Sequence, residues 1–105
     1  MKEVTVEQLK NKIDNNEGFQ LIDVREPFEY EVSNLNGENI PLAGIVIEAA
    51  KISRDKPVII QCRSGARSAA AINQLEQQFG FDNLYNLKGG ILAWAAEYDS
   101  DMQVY

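Results

Sequence analysis

Short apolar runs alternating with helix-patterned stretches constrain this chain more than any other feature. Lys56-Pro57-Val58-Ile59-Ile60-Gln61 has a polar, proline-bearing start and then three consecutive apolar residues, the mark of a strand buried on both faces. Phe19-Gln20-Leu21-Ile22-Asp23-Val24 and Asn83-Leu84-Tyr85-Asn86-Leu87 share that short form. Between them lie helical patterns. Arg67 to Phe79 is rich in Ala and sets Ile72, Leu75 and Phe79 at spacings of three and four, and Gly80 follows as a stop. Thr5-Val6-Glu7-Gln8 forms a capping-box pattern ahead of Leu9 and Ile13, on a helix that stops near Asn15-Asn16. Pro27 suits the first turn of a helix from about Glu26 to Val32, and Gly89-Gly90 precedes a last helix through Tyr98. Asn36-Gly37 marks a turn, and Asn39-Ile40-Pro41-Leu42 a brief extended piece. A further helix is expected from Ala43 to Ser53, against the preferences of Gly44 and the three consecutive β-branched residues Ile45, Val46 and Ile47. Strands separated by helices require right-handed crossovers. The expected fold is α/β, with a mostly parallel central sheet of about five strands and helices on both faces. Residues 1–105 make one domain, with no repeat or linker to divide them.

Composition removes whole reaction classes. There is one cysteine and no histidine. Cys-His and Ser-His-Asp arrangements are therefore impossible, and a metal site would lack its commonest nitrogen ligand, so none is expected. A net charge of −6 makes the chain a poor polyanion binder, because nucleic-acid affinity comes largely from clustered Lys and Arg. No apolar run approaches the ~20 residues that cross a bilayer, so no membrane partner is expected. The first residues lack the apolar segment of a signal peptide, and one cysteine cannot form an intramolecular disulfide. A reducing, cytoplasmic setting is the default expectation.

The chemistry concentrates in Cys62-Arg63-Ser64-Gly65-Ala66-Arg67-Ser68, between the clearest strand and the clearest helix. In open α/β sheets ligands bind beyond the carboxyl ends of the strands, where Cys62 falls. A loop that enters a helix N-terminus presents unpaired amides to an anion. Gly65 lets the backbone turn so that several amides point inward, while Arg63 and Arg67 add positive charge nearby. Each of these effects favours thiolate over thiol. Bringing a cysteine pKa from ~8.5 toward neutrality takes ~2 kcal/mol. A helix terminus supplies ~0.3–1 kcal/mol and a partly desolvated Arg can supply more. Such a site can activate its own nucleophile without histidine. A lone cysteine after an apolar strand is more often a small buried hydrophobe, and isolated arginines are usually solvated. The combination of strand, Cys, glycine-bearing loop, two arginines and helix is not what an inert core cysteine requires.

Four segments in order along the chain resemble the rhodanese family. Leu21-Ile22-Asp23-Val24-Arg25-Glu26-Pro27-Phe28-Glu29-Tyr30 is similar to its first signature, and Asn39 to Leu42 to the segment that follows. Cys62 to Ser68 resembles its active-site loop, and Asn86-Leu87-Lys88-Gly89-Gly90-Ile91-Leu92-Ala93-Trp94 its terminal signature. The resemblance implies a rhodanese-like fold and sulfurtransferase activity, with Cys62 catalytic. Cys62 would accept sulfane sulfur as a transient persulfide, with no other cofactor, and pass it to a thiophilic acceptor. It implies that Arg63, Ser64, Gly65, Ala66 and Arg67 bind the transferred group through their amides, and that Arg63 and Arg67 attract an anionic donor such as thiosulfate or stabilise the loop. Asp23, Arg25 and Ser68 would support the loop. Asp23 and Arg25 read first as a buried ion pair, and Trp94 as a core residue.

Ser33-Asn34-Leu35 stands where many family members have Gly-His-Ile. Glu29 to Gly37 and the closing Ala95 to Tyr105 look more like the rhodanese domains fused to adenylyltransferases of the ubiquitin-activating type. Those enzymes serve molybdopterin, thiamine and thiolated-tRNA synthesis, so the chain is expected to be either free-standing or a C-terminal domain. Partners then include a small-molecule donor or a cysteine desulfurase, a ubiquitin-like sulfur carrier ending in Gly-Gly, and an adenylyltransferase. Two other readings compete. Phosphatases and arsenate reductases that share the fold have five residues between Cys and Arg, whereas this chain has four, Arg63 to Ala66. No acidic residue in the loop is placed to protonate a leaving group. A binding module without turnover would not be expected to keep Cys62 with both arginines.

Overall fold

A computed structural model describes all residues from 1 to 105. Five parallel strands form one sheet: β1 (Glu3–Val4), β2 (Gln20–Asp23), β3 (Glu38–Asn39), β4 (Val58–Gln61) and β5 (Leu84–Leu87). Their order across the sheet is β1-β5-β4-β2-β3. Helices α1 (Val6–Asp14), α2 (Pro27–Val32), α3 (Ala66–Phe79) and α4 (Gly90–Tyr98) make the connections, as expected from the alternation of patterns.

Strand geometry explains why both faces are covered. Side chains alternate across a strand, so Ile60 and Ile22 join one core while their neighbours Ile59 and Leu21 pack into another. The first core gathers Val58, Ile60, Ala71, Ile72, Leu75 and Leu84 beneath α3. The second holds Val4, Leu9, Ile59 and Leu87, with Trp94 partly buried against it. Burial at ~25 cal/mol per Å2 of apolar area makes these two layers the main source of stability. Trp94 sits at the margin rather than in the core and stacks at a tilt on Tyr98, with ring centroids 4.9 Å apart.

The capping box forms as its pattern requires. Thr5 Oγ1 accepts from the Gln8 amide at 3.0 Å, and Gln8 Oε1 accepts from the Thr5 amide at 2.8 Å. Pro27 occupies the first turn of α2. One expected element needs correction, and one strand was not expected. The expected helix from Ala43 to Ser53 is replaced by two 3₁₀ turns, Leu42–Gly44 and Ala49–Lys51. Gly44 and the β-branched run Ile45-Val46-Ile47 disfavour a continuous helix, and the segment is anchored instead by burying Ile45 and Ile52. The strand β1 has no local signature. It exists because Glu3 and Val4 pair with Asn86 and Leu87 on β5.

Candidate active site

Cys62 follows β4 directly, and the chain then turns through Arg63, Ser64 and Gly65 into α3. Gly65 caps that helix with φ +117°, in the left-handed region where a side chain would be strained. The turn folds the loop around its own sulfur. The Gly65 amide donates to Cys62 Sγ at 3.1 Å and the Ser68 amide at 3.4 Å, with Ser68 Oγ also 3.4 Å away. Ser68 lies in the first turn of α3, where amides have no partner within the helix. The sulfur occupies that vacancy, at the positive end of the helix dipole.

Two opposed effects set the thiol's acidity. Burial, at 1% exposure, is the largest and pushes the thiol up. The Ser68 hydroxyl and then the amides of Ser68, Gly65 and Ser64 outweigh it, and the Cys62 pKa falls below its ordinary value. The hydroxyl and the amides are not equivalent donors. Ser68 has a single hydroxyl proton facing three acceptors: Sγ, Asn86 Oδ1 at 2.5 Å and the Gly65 carbonyl at 3.1 Å. Turning that proton to a thiolate gives up the Asn86 contact. The amides carry their protons in fixed directions and are the dependable part of the cradle.

The loop is braced from outside by α4. Ile91 N–H donates to the Cys62 carbonyl at 2.9 Å and Leu92 N–H to the Arg63 carbonyl at 3.1 Å. Gly90 permits this approach: a Cβ there would lie 2.5 Å from both carbonyl oxygens, and its φ is +62°. Asn86 ties the other side, its Nδ2 donating to the Gly65 carbonyl at 3.1 Å.

Arg67 is committed elsewhere. Its Nη1 and Nη2 donate to Glu29 Oε1 and Oε2 at 2.6 and 2.9 Å, a bidentate pair reaching from α3 to α2. Glu29 is buried, at 5% exposure, and its pKa is lowered to about 2. The hydrogen bonds from Arg67 are the first cause; burial opposes them, and the Glu26 amide and the charges of Arg67 and Arg25 add to the lowering. Arg63 is exposed, and its Nε donates to the Tyr105 backbone oxygen at 2.6 Å.

Asp23 and Arg25 form the buried ion pair expected of them, 1% and 0% exposed. Arg25 Nη2 bridges Asp23 Oδ2 at 2.9 Å and the Ser33 carbonyl at 2.7 Å, while its Nη1 is buried without a partner. Asn39 Nδ2 donates to the carbonyls of both Asp23 and Arg25. No hydrogen bond joins this pair to the cysteine loop. Its connection runs through α2, which it fixes at Ser33 and which carries Glu29 to Arg67.

Cys62, Gly65 and Ser68 therefore come together at the sulfur, with Ser64 contributing its amide. Ala66 is exposed and only begins α3. Glu29, Asn86 and Gly90 had no role assigned from sequence. The polar Asn86 inside an otherwise apolar strand is a recognisable signal, because a buried amide needs partners. Glu29 carries no such local mark. A separate hollow of about 400 Å3, lined in part by Glu3, Gln8, Pro57 and Tyr85, lies at the opposite end of β4 from Cys62 and takes no part in this arrangement.

A cysteine cradled by amides between a parallel strand and a helix suits a nucleophile that carries its product as an anion, and comparison with known proteins places the arrangement in a family. The rhodanese-like domain family matches residues 5–97. This chain is a rhodanese-like domain. It is 38% identical over 96 residues to a sulfurtransferase of Allochromatium vinosum, covering 90% of this chain and 89% of that protein. It is 30% identical over 105 residues to the probable adenylyltransferase/sulfurtransferase MoeZ of Mycobacterium tuberculosis, 97% of this chain but 26% of that one. The rhodanese domain thus spans about a quarter of the MoeZ-type relatives. A rhodanese-related protein of Thermoplasma volcanium superposes with TM-score 0.80 at 33% identity, covering 93% of this chain and 94% of the other.

Proposed function

We propose that this rhodanese domain is a sulfurtransferase that carries sulfane sulfur on Cys62 as a persulfide. The observation that carries the reading is the position of Sγ against the amides of Gly65 and Ser68. The thiolate attacks the terminal sulfur of a donor. A bond forms between Sγ and that sulfur, the donor's own bond to it breaks, and the electron pair leaves with the remainder of the donor. An acceptor thiolate or cyanide then attacks the outer sulfur and releases Cys62 as thiolate, so neither half requires an external oxidant or reductant. Amides that hold a thiolate also suit a persulfide anion, which keeps its charge within reach of the same donors.

The MoeZ-type relatives, together with the likeness of Glu29 to Gly37 and of the closing segment, support a second reading. In it, the domain relays sulfur beside an adenylyltransferase to a ubiquitin-like carrier, in a reducing cytoplasm. A phosphatase or arsenate-reductase activity is disfavoured by the commitment of Arg67 to Glu29, because phosphoryl transfer needs an arginine free to clamp the oxygens.

The test is mass spectrometry of the intact protein after incubation with a sulfur donor. One added sulfur atom, removed by dithiothreitol and missing in Cys62→Ser, is expected. An accessible Cys62 that alkylates yet never gains sulfur would refute the persulfide reading.

A further inference from the structure

Cys62 and Asn86 share one face of the sheet. Asn86 pairs in register with Ile60, which packs beneath α3, and Cys62 lies two residues beyond Ile60 on that same side. Ser68, 0% exposed in the first turn of α3, touches both. Its hydroxyl oxygen is 2.5 Å from Asn86 Oδ1, at the tight end of O–H···O bonds, and 3.4 Å from Cys62 Sγ. A hydroxyl has one proton to give. Asn86 is buried, and its Oδ1 accepts from Ser68 alone. Its Nδ2 is engaged with the Gly65 carbonyl, which keeps the amide from turning away. A hydroxyl that turned to the sulfur would leave a buried amide oxygen unpaired, and such a loss is costly.

The two states of the cysteine differ in what they ask of that proton. In the free thiolate the charge sits on Sγ and draws the hydroxyl. Once a sulfur is attached, the charge sits on the outer atom, which enters from the solvent side, whereas Ser68 lies on the buried side. The hydroxyl then stays with Asn86 at no loss. The charged groups around the loop stand apart from this exchange. Arg67 is held by Glu29 of α2, Arg63 by the Tyr105 backbone and Arg25 by Asp23, and none of them bonds to Ser68 or Asn86.

We propose that Asn86 is a positioning residue that holds the Ser68 hydroxyl away from Cys62 Sγ and thereby favours the sulfur-loaded cysteine over the free thiolate. The effect on loading rests on the sulfur-carrier reading above, and the competition for the proton does not. With thiosulfate as the probe, the Cys62 thiolate attacks the outer sulfur. A bond forms between Sγ and that sulfur, the S–S bond of thiosulfate breaks, and its electron pair leaves on sulfite. One negative charge stays on the attached sulfur, so atoms, charge and electrons balance. Removing Oδ1 releases the hydroxyl to the free thiolate, and the equilibrium moves back toward thiosulfate.

A double-mutant cycle over Asn86→Ala and Ser68→Ala isolates the competition, because any loosening of the loop by Asn86→Ala is common to both proteins that carry it. The pH profile of Cys62 alkylation is read in all four proteins. Ser68→Ala should raise the Cys62 pKa more in the Asn86→Ala background, where the hydroxyl is free to serve the sulfur, than in wild type. Asn86→Asp keeps an acceptor at that position, and there the rise should be no larger than in wild type. Asn86→Leu, similar in volume, takes the place of Asn86→Ala if circular dichroism shows that variant unfolded. Equal rises in the two backgrounds, or a smaller one with Asn86→Ala, would overturn the role given to Asn86. Intact-mass spectrometry of mixtures with thiosulfate and sulfite, at a pH above the Cys62 pKa, gives the loading constant. Asn86→Ala should lower it severalfold, and adding Ser68→Ala should restore part of the loss. A constant that Asn86→Ala leaves unchanged would sink the effect on loading alone. A wild-type protein that alkylates at Cys62 and gains no sulfur would refute the carrier reading, while the pH profiles still decide the competition.

Discussion

Gly90→Ala is the substitution whose effect the structure fixes most closely. Gly90 has φ +62°, and an alanine held there costs ~1–2 kcal/mol from the left-handed conformation alone. Its Cβ would also lie 2.5 Å from the carbonyl oxygens of Cys62 and Arg63. These are backbone atoms, with no flexible end to swing aside, and relieving the contact means moving α4 or the loop by several tenths of an ångström. Overpacking of that kind adds ~1–3 kcal/mol. The sum is ~2–5 kcal/mol, a fall of about 10–30 °C in melting temperature for a domain of this size. The same movement lengthens the bonds from Ile91 and Leu92 that brace the loop, so persulfide loading should drop even at temperatures where the variant is folded. Thermal melts by circular dichroism, paired with loading rates at 15 °C below each variant's own midpoint, measure both effects. Gly18→Ala is the control, since a Cβ there has open space and no strained φ to adopt. It should stay within ~0.5 kcal/mol of wild type or gain slightly. If Gly90→Ala melted within ~3 °C of wild type, the close approach of α4 to the loop would not be the constraint described.

Three further perturbations separate the parts of the site. Ser68→Ala removes a hydroxyl that shares its proton among three acceptors, so the Cys62 pKa should rise in an alkylation-rate profile against pH, but by less than in Gly65→Ala, which displaces the amides. A larger rise would make the hydroxyl, and not the amides, the principal donor. Glu29 has its folded pKa lowered from 4.5 to about 2, so its contribution to stability is fully present above pH 4.5 and is lost as pH falls toward 2. Urea unfolding across that window should show wild type losing stability with acid more steeply than Glu29→Gln, and equal slopes would contradict the pairing. Asp23→Asn leaves the 0%-exposed Arg25 without a counter-charge and should cost ~3–5 kcal/mol, whereas replacing both residues by Leu should cost less than the single change.

The elements that sequence made legible are those whose causes are local. Thr5 and Gln8 satisfy each other within one turn, Pro27 presets a helix start, and Val58 to Ile60 can be buried only in a sheet covered on both sides. The order of these signals gave the parallel α/β fold and placed Cys62 at a strand end. Elements with distant causes were not legible. Glu3 and Val4 are a strand only because β5, more than eighty residues later, offers them an edge. From Ala43 to Ser53, apolar residues at near-helical spacing obscured a segment that closes 3₁₀ turns to bury Ile45 and Ile52. At the site, the residue types were readable but their pairings were not. Nothing local indicates that Arg67 is held by a carboxylate from α2 rather than left facing a donor.

That pairing changes what activates the sulfur. With Arg67 neutralised by Glu29 and Arg63 drawn toward Tyr105, the largest favourable influences on the thiolate are the Ser68 hydroxyl and backbone amides. Amide directions are set by φ and ψ and not by side-chain identity, so tolerance to substitution should follow backbone conformation. Arg63, Ser64 and Ala66 are exposed, and their side chains can change while the amides stay in place. Gly65 and Gly90 cannot change so freely, since one turns the loop at φ +117° and the other lets α4 reach the Cys62 and Arg63 carbonyls. An alanine scan from Arg63 to Gly90, read by Cys62 alkylation, should therefore show its largest losses at these two glycines. If Arg63→Ala cost more reactivity than Gly65→Ala, side-chain charge rather than peptide geometry would be the source of the nucleophile.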